Sequence, residues 1–204
     1  LLDNVITALN WNEKDSSLWI GSLDEGIEIR FDSEDKRIIS TSCGISNNHI
    51  TSIAHLSNGS IVGTVDGVNL IENFEFSRVW DNYYNSFTSN RISDLVSNGK
   101  LVLGITDKSE LFLIRDTGKV FLDLTLSTHL MEVFNSYING ISVVGSDFWI
   151  GEDSFLKNVR ITSNGIEKIK SIPIGKVVKI VGEEDDFIGY TTGNKLFHVI
   201  NNEI

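Results

Sequence analysis

Short apolar runs alternate with polar turn segments along the whole of this chain, and five of the runs end in glycine. The spacings between these glycines are 42, 41, 47 and 38 residues, for Gly21, Gly63, Gly104, Gly151 and Gly189. Before each run lies a segment in which β-branched and small polar residues mix with a period of two. This pattern predicts a strand, and the apolar run that follows it is predicted to be a second strand paired with it. We expect each glycine to end the second strand of a repeated unit and to open a turn. A recurrence near forty residues indicates stacked supersecondary units.

Turn residues divide each unit further. Asn58-Gly59 and Asn98-Gly99 separate the first two segments of their units, and Asn-Gly favours a tight hairpin because both residues tolerate a positive φ. A third and a fourth strand-like segment follow each glycine, except in the last unit, where the fourth segment is missing. Four short antiparallel strands in about forty residues are typical of a β-propeller blade.

The predicted fold class is therefore all-β. We expect a β-propeller of about five four-stranded antiparallel blades that is part of a larger propeller, with a self-contained five-bladed ring as the alternative. Residues 1–204 are predicted to form one domain with approximate blades 1–43, 44–85, 86–134, 135–174 and 175–204. The long connection 126–137 is predicted to form a short helical turn.

Charge and composition limit the classes of partner that this chain can bind. The chain has 28 acidic and 17 basic residues and a net charge of −11, which repels phosphate backbones, so we predict no nucleic-acid partner. No apolar run approaches the roughly 18 residues of a membrane-spanning helix, and we predict no direct membrane insertion of this segment. The single Cys43 forms no intrachain disulfide, which is compatible with the cytosol and with a bacterial periplasm.

Groups that could perform catalysis or bind metal do not converge in the sequence. The four histidines fall in different repeats without ligand spacing, and Cys43 lies beside Gly44 in a predicted loop. The carboxylate run 183–186 falls in a predicted hairpin turn and lacks the spacing of a calcium loop. We therefore predict no catalytic residue, no metal and no cofactor, and a protein that is not an enzyme.

The connection 80–90 is the best candidate for a ligand site. Aromatic ring faces beside amide and carboxylate groups are what a sugar site or a protein hot spot uses. The alternative is that the large apolar rings of this connection are packed between blades. The predicted ligand-binding residues here are Trp80, Asp81, Asn82, Tyr83 and Tyr84.

A repeated asparagine gives a second set of candidates. Asn4, Asn48, Asn90 and Asn139 each precede a predicted innermost strand, so their side chains are expected on one face around the channel. Asparagine also stabilises turns by bonding its own backbone two residues on, so we expect a structural role first and a ligand role second. The ligand candidates in this set are Asn48, Asn90 and Asn139.

The first two blades resemble the two-component regulator propeller repeat. That pattern runs approximately Gly-Leu-x-x-Asn-x-Val-x-x-Ile and then Leu-Trp-Ile-Gly-Thr-x-x-Gly-Leu. Residues 17–32 match its second half, and residues 44–53 with 59–71 match both halves. Blade four shares Phe148-Trp-Ile-Gly151, whereas blades three and five depart from the pattern.

The resemblance implies a function that composition does not. It implies a non-enzymatic ligand-sensing domain of a bacterial one-component or hybrid two-component regulator, periplasmic or extracellular, with a glycan-derived ligand. The expected partners are a small-molecule or glycan ligand, a protein, or both, and a homodimer is left open. One alternative is an intracellular, cytoplasmic propeller that acts as a scaffold for protein–protein interaction. Another is a propeller lyase or glycosidase.

Overall fold

The computed structural model describes residues 4–81, 87–134, 136–162, 165–183 and 186–200. In this part of the chain, strands adjacent in sequence pair into five antiparallel sheets, which we call blades 1 to 5. Blade 1 contains β1 (Ile6–Asn12), β2 (Ser17–Ser22), β3 (Ile27–Phe31) and β4 (Lys36–Ile39). Blade 2 contains β5 (Ile50–Leu56), β6 (Gly59–Thr64), β7 (Gly67–Glu72) and β8 (Glu75–Trp80). Blade 3 contains β9 (Ile92–Ser97), β10 (Leu101–Thr106), β11 (Leu111–Asp116) and β12 (Val120–Leu122).

The last two blades follow the same order of strands. Blade 4 contains β13 (Ile138–Val144), β14 (Asp147–Glu152), β15 (Leu156–Thr162) and β16 (Gly165–Ile172). Blade 5 has three strands in the described residues, β17 (Val177–Glu183), β18 (Asp186–Thr191) and β19 (Leu196–Ile200). A single turn of 3-10 helix at Thr41–Cys43 follows blade 1, and a helix, α1 (Leu124–Val133), follows blade 3.

The helix confirms the helical segment predicted in the long connection. It begins where the Asp123 carboxylate accepts a hydrogen bond from the Leu126 backbone N–H at 3.0 Å, a typical N-cap. Ser127 then accepts a hydrogen bond from the Leu113 N–H at 2.9 Å, and the Leu113 carbonyl accepts one from the Asp123 N–H. The helix thus satisfies backbone groups of β11 that the three-residue β12 does not reach.

Contacts divide the chain into two compact units. The first comprises Leu1–Glu110 with Ile114–Leu122, and the second comprises Leu111–Leu113 with Asp123–Ile204. In each unit the core lies between neighbouring blades, where large apolar side chains leave water. The first core joins blades 1 and 2 through Trp19, Ile29, Ile53, Val62 and Ile71, and the second joins blades 4 and 5 through Val144, Trp149, Ile180, Phe187 and Val199.

Glycines in the second strands allow neighbouring blades to approach closely. A Cβ atom on Gly21 would lie 2.6 Å from Ile50 of the next blade, and one on Gly63 would lie 2.7 Å from Ile92. In the second unit, a Cβ atom on Gly151 would lie 2.0 Å from the Val177 carbonyl oxygen. Separations this short are clashes, so a residue larger than glycine at these positions would push the blades apart.

The five glycines are not equivalent, which corrects the expectation from the repeat. In each blade a bulge follows the first paired residue of the first strand. That first residue has a partner in the second strand, and the residue just before this partner in the sequence is Gly21, Gly63 or Gly151 in blades 1, 2 and 4. In blades 3 and 5 that residue is Ile105 or Tyr190. Gly104 and Gly189 lie one residue earlier, and a one-residue shift turns a side chain to the opposite face of the sheet. The glycines also lie inside strands and do not open the turns.

Phe74 of blade 2 has an unusual backbone conformation. In the turn between β7 and β8, Asn73 has φ 52° and Phe74 has φ 64°, a left-handed conformation that costs a bulky residue about 1 to 3 kcal/mol. The Phe74 ring packs edge-on against Phe31 at 5.0 Å and lies 6.3 Å from the Trp19 ring, both in blade 1. The Arg37 guanidinium lies 5.0 Å from its centre. Contacts with blade 1 therefore hold this turn of blade 2.

His55 is the titratable group of the same junction. Its ring meets Trp19 edge-on at 5.2 Å, and Nδ1 lies 2.9 Å from the Ser60 hydroxyl. Nε2 is buried and has no hydrogen-bond partner among the described residues. Burial lowers the pKa of His55 to about 4, and the nearby charge of Asp15 raises it only in part. The ring is therefore neutral in the folded protein at neutral pH.

Gly63→Ala tests the close approach between blades 2 and 3. Alanine normally stabilises a strand relative to glycine, but here its methyl group meets the stiff β-branched side chain of Ile92. We expect the free energy of unfolding to fall by about 1–3 kcal/mol, measured by urea denaturation. Gly193→Ala is the matched control, because a Cβ atom there meets nothing closer than 3.8 Å. Equal stability of the two variants would contradict the account of the junction.

His55 predicts a loss of stability in mild acid. The unfolded chain binds a proton on this ring near the ordinary histidine pKa of 6.5, whereas the folded chain does so only near pH 4. Stability is therefore complete above pH 6.5 and declines toward pH 4, by about 3 kcal/mol from this group. Urea denaturation at several pH values should show a smaller decline for His55→Asn than for the unmodified chain. His129→Asn, at an exposed histidine, is the control for the effect of the substitution itself.

Candidate functional site

Asn48 and Asn90 tie the start of one blade to the preceding blade. The Asn48 carbonyl accepts a hydrogen bond from the Gly26 N–H at 3.1 Å, and its side-chain oxygen accepts one from the Thr41 N–H at 2.8 Å. The Asn90 carbonyl accepts a hydrogen bond from the Gly67 N–H at 2.8 Å. Gly26 and Gly67 each lie where a third strand begins. The bonds to Gly26 and Gly67 come from main-chain carbonyls and differ from the expected bond of the asparagine side chain to its own backbone, so the roles predicted for these side chains stay predictions.

Asn139 does not occupy the position that the sequence spacing suggests. Ile138, paired with Glu152 at the bulge, is the counterpart of the isoleucines two residues after Asn48 and Asn90. The counterpart of those asparagines is therefore Ser136, whose hydroxyl donates to Glu152 at 2.6 Å. The motif Asn139-Gly-Ile141 repeats the Asn-x-Ile spacing three residues too late.

The structure describes the two ends of the aromatic connection 80–90. Trp80 is the last residue of β8, pairs with Val68 and is 5% exposed, so its ring packs inside the protein as the alternative interpretation expects. Asp81 is half-buried. Asn82, Tyr83 and Tyr84 lie outside the described residues. The ligand role proposed for this connection stays a prediction, and Trp80 offers a ligand little surface.

A cleft of about 740 Å³ lies in the second unit, between the start of blade 5 and the turn after β18. Its size is within the range of small-molecule sites. Four of the residues that line it are apolar, Pro173, Ile174, Leu196 and Phe197. Leu196 is 82% exposed, so it faces solvent.

Polar residues also line the cleft. Lys176, Lys195, Thr191, Thr192 and Asp153 lie there. Neither lysine ammonium group has a hydrogen-bond or ion-pair partner in the part of the chain that the structure describes. The cleft therefore combines apolar residues with two unpaired cations.

The backbone of Lys176 is held in an uncommon conformation. Its φ is 57°, in the left-handed region that a residue with a side chain rarely adopts. The Lys176 N–H donates to the Glu152 carbonyl at 2.9 Å, and the Lys176 carbonyl accepts from the Thr192 N–H at 2.9 Å. These bonds hold the chain in a strained state, and such strain clusters at functional sites.

One predicted residue contacts a residue of the cleft without lining it. The Asn139 amide donates to the Asp153 carboxylate at 3.3 Å, and Asp153 lines the cleft. The sequence gives no signal for Lys176 and Lys195, because surface lysines are common and these two are 19 residues apart. Only the pairing of β17 with β18 brings their segments together.

The first unit contains a cavity of about 540 Å³ near the hairpin turns of blades 1 and 2. Its polar groups are already bonded to one another. Trp19 Nε1 donates to the Ser17 hydroxyl at 2.9 Å, Ser17 donates to Asp15, and the Asn12 amide donates to the second Asp15 oxygen at 3.0 Å. The Lys14 ammonium donates to the Ser57 carbonyl of blade 2. This cavity therefore offers a ligand fewer free polar groups than the cleft.

Other titratable groups stay dispersed. Among the described residues no cluster of three or more histidine, cysteine, aspartate or glutamate side chains could hold a metal ion. Cys43 is exposed in the 3-10 turn, and Asp186 pairs with His198 at 2.6 Å. Glu184 and Asp185 of the carboxylate run lie outside the described residues. Over the described ranges, the structure contains no helix of the length and apolarity that crossing a bilayer requires.

Comparisons with known proteins establish the fold. No protein-family model matches the sequence, and no curated protein matches it either. Among solved structures, the β-propeller domain of Cps50 (Swd1) from Myceliophteria thermophila is 13% identical with a TM-score of 0.70 and matches 98% of this chain. The extracellular domain of BT4673 from B. thetaiotaomicron, provisionally assigned as a one-component system, is 13% identical with a TM-score of 0.71 over 98% of this chain. PorZ, a surface component of the type-IX secretion system of Porphyromonas gingivalis, is 12% identical with a TM-score of 0.58 over 97% of this chain.

The matches cover 66%, 28% and 27% of the lengths of those three proteins. Identities this low show the fold alone. The two-component regulator family therefore stays a hypothesis, while the prediction of an all-β fold is confirmed: this chain is a β-propeller built of antiparallel blades.

Proposed function

We propose that this chain is a non-enzymatic ligand-sensing propeller domain of a bacterial signal-transduction regulator, located outside the cytoplasm. The repeat pattern of the first two blades supports this, since it resembles that of two-component regulator propellers. The likeness in fold to the extracellular domain of BT4673 along 98% of this chain supports it independently of that pattern. Propellers present binding sites on loops that a rigid scaffold positions, which suits a sensor.

The cleft of the second unit is the observation that carries the binding role. A ring or chain of carbons can lie against Pro173 and Phe197, while a negative group meets Lys176 and Lys195. The net charge of the whole chain is −11, so an anion would be repelled unless local cations bind it. The ligand class that fits is a carbohydrate with a carboxylate or sulfate group, because sugars offer both apolar faces and hydroxyls.

A scaffold for protein–protein interaction is the second candidate. The described residues of blade 5 expose several apolar side chains on one face of the sheet, which is a feature of interaction surfaces. These are Val181, Ile188, Tyr190, Leu196 and Ile200. A propeller lyase or glycosidase is the third candidate, and incubation with glycans followed by product analysis tests it directly.

Lysine variants test the cleft. We expect Lys176→Ala and Lys195→Ala each to weaken binding of acidic oligosaccharides about tenfold, because each removes a charge-assisted hydrogen bond. Isothermal titration calorimetry against matched acidic and neutral oligosaccharides measures the change. Lys100→Ala, at an exposed lysine of the first unit, should bind like the unmodified chain. If the acidic oligosaccharides bind all three variants equally well, the cleft is not the ligand site.

The aromatic connection is tested in the same assay. Tyr83→Ala and Tyr84→Ala should weaken binding to a glycan panel if the connection 80–90 supplies the stacking surface. A loss with these variants and none with the lysine variants would move the site to the connection. Sensing itself is tested on the full-length gene: a leader peptide and a downstream membrane segment are expected, and their absence would refute it.

A further inference from the structure

Two hairpins of the first unit contain the same tripeptide, Ser-Asn-Gly, at the turn between their first two strands. Asn58-Gly59 joins β5 to β6 in blade 2, and Asn98-Gly99 joins β9 to β10 in blade 3. The side-chain amide of an asparagine that precedes glycine is open to attack by the glycine nitrogen, because glycine has no side chain to hinder the approach. The product is a succinimide ring, which water opens to aspartate or isoaspartate. The surroundings of the two asparagines differ in every feature that governs this reaction.

The side-chain oxygen of Asn98 accepts two backbone hydrogen bonds. The Leu101 N–H donates to Asn98 Oδ1 at 2.9 Å, and the Lys100 N–H donates to it at 3.2 Å. Because both donors follow Gly99 in the chain, the side chain folds over the Gly99 peptide, and holding two reacting groups together lowers the barrier. Attack on the amide carbon places negative charge on Oδ1. The two N–H donors stabilise that charge, as the donors of an oxyanion hole do.

The backbone of Gly99 also favours the attack. Its N–H donates to the Ser97 hydroxyl oxygen at 3.0 Å, and an acceptor that draws this proton away makes the nitrogen a better nucleophile. Gly99 has φ 85°, and a Cβ atom built on it would meet no atom within 4 Å apart from its chain neighbours. The backbone therefore has room to rotate as the ring closes.

Asn58 is held in a different way. Its side-chain amide donates to Asp116 Oδ1 at 2.9 Å, and its backbone N–H donates to Asp116 Oδ2 at 2.8 Å. The carboxylate thus fixes the amide against the neighbouring blade, with the amide nitrogen rather than the oxygen engaged. A Cβ atom on Gly59 would lie 2.9 Å from Leu70 and 3.2 Å from the Ile71 carbonyl oxygen. This close packing opposes the rotation that ring closure needs.

The chain has two further Asn-Gly pairs, at residues 139–140 and 164–165. Asn139 lies inside β13, and its amide donates to Asp153 at 3.3 Å. A Cβ atom on Gly140 would lie 1.8 Å from the Val178 carbonyl oxygen, so the strand is tightly packed here. Asn164 lies outside the described residues. Among the described pairs, Asn98-Gly99 alone combines donors to the amide oxygen with space around the glycine.

We propose that Asn98 is a self-modification site, at which the folded chain converts asparagine to aspartate or isoaspartate through a succinimide. The Gly99 nitrogen loses its proton to hydroxide and forms a bond to the Asn98 amide carbon. The bond from that carbon to Nδ2 then breaks, and Nδ2 takes a proton from water and leaves as ammonia. Water next opens the ring. Cleavage at the side-chain carbonyl gives aspartate, and cleavage at the backbone carbonyl gives isoaspartate.

The modification acts on the contact between blades 2 and 3. The Gly99 carbonyl accepts hydrogen bonds from the Ser57 N–H at 3.1 Å and from the Ser57 hydroxyl at 3.2 Å. Isoaspartate lengthens the main chain by a carbon atom just before this carbonyl, which displaces it from Ser57. Aspartate leaves the main chain unchanged, and its carboxylate accepts the same two backbone hydrogen bonds. Isoaspartate therefore weakens this junction, and aspartate does not.

Incubation of the complete folded chain at mildly alkaline pH tests the proposal. Deamidation raises the mass of a peptide by about 1 Da, so mass spectrometry of protease digests follows each Asn-Gly site separately. We expect Asn98 to react about tenfold faster than Asn58, or more, in the folded chain. In concentrated urea the two should react at nearly equal rates, because both lie in the same tripeptide. Asn98→Gln should abolish the reaction at this site and leave that of Asn58 unchanged, since glutamine has to close a larger ring.

Equal rates at Asn58 and Asn98 in the folded chain overturn the proposal, since the reaction would then proceed through opened states that free both turns. A preference for Asn98 that persists in urea also overturns it, because the sequence alone would then decide. The absence of any mass gain at Asn98 in the folded chain does the same. The effect on the junction is measured by amide exchange of the Ser57 N–H, which should be faster in the isoaspartate fraction than in the unmodified chain. Equal exchange in the two fractions overturns the effect assigned to the junction.

Discussion

The approach of one blade to the next at a residue without a side chain is the constraint on which the described junctions depend. At residues 21, 63 and 151 the second strand of a blade meets the first residue of the next blade's innermost strand, with no room for a methyl group. That contact sets how closely the sheets pack, and the packing decides whether Trp19 or Trp149 can fill the space beside it. Removing the constraint would open a gap under the largest side chains of each core, which is where most of the apolar stabilisation lies.

Much of this architecture could be predicted from local patterns, and what could not depends on register. Asn58-Gly59 and Asn98-Gly99 predict hairpins, because Asn-Gly favours one turn geometry whatever surrounds it. The positions of Gly104 and Gly189 could not be predicted, since a shift of one residue hardly alters a period near forty. The position of Asn139 was predicted wrongly for the same reason, because no sequence pattern indicates the bulge that aligns Ile138 with its counterparts.

The cleft could not be predicted from a sequence pattern, for a different reason. Lys176 precedes β17 and Lys195 follows β18. The segment of Lys176 with Pro173 and the segment of Lys195 with Phe197 become neighbours only when these two strands pair. The two lysine ammonium groups make no ion pair or hydrogen bond within the described structure, which composition cannot reveal. Trp80 shows the reverse case. It belongs to a connection that the sequence suggests as a ligand site, but it is the last residue of β8 and its side chain is buried.

The strained turn at Phe74 bears on how the chain unfolds. The β7–β8 hairpin is a local structure that could form early, yet its left-handed aromatic residue is compensated only when Phe31 and Arg37 of blade 1 are in place. Repeat proteins often lose one terminal unit while the rest stays folded. Here the loss of blade 1 would leave the strain at Phe74 uncompensated and would remove the surface against which blade 2 packs. The first two blades are thus coupled into a single cooperative unit, and a fraying transition limited to blade 1 should not be populated.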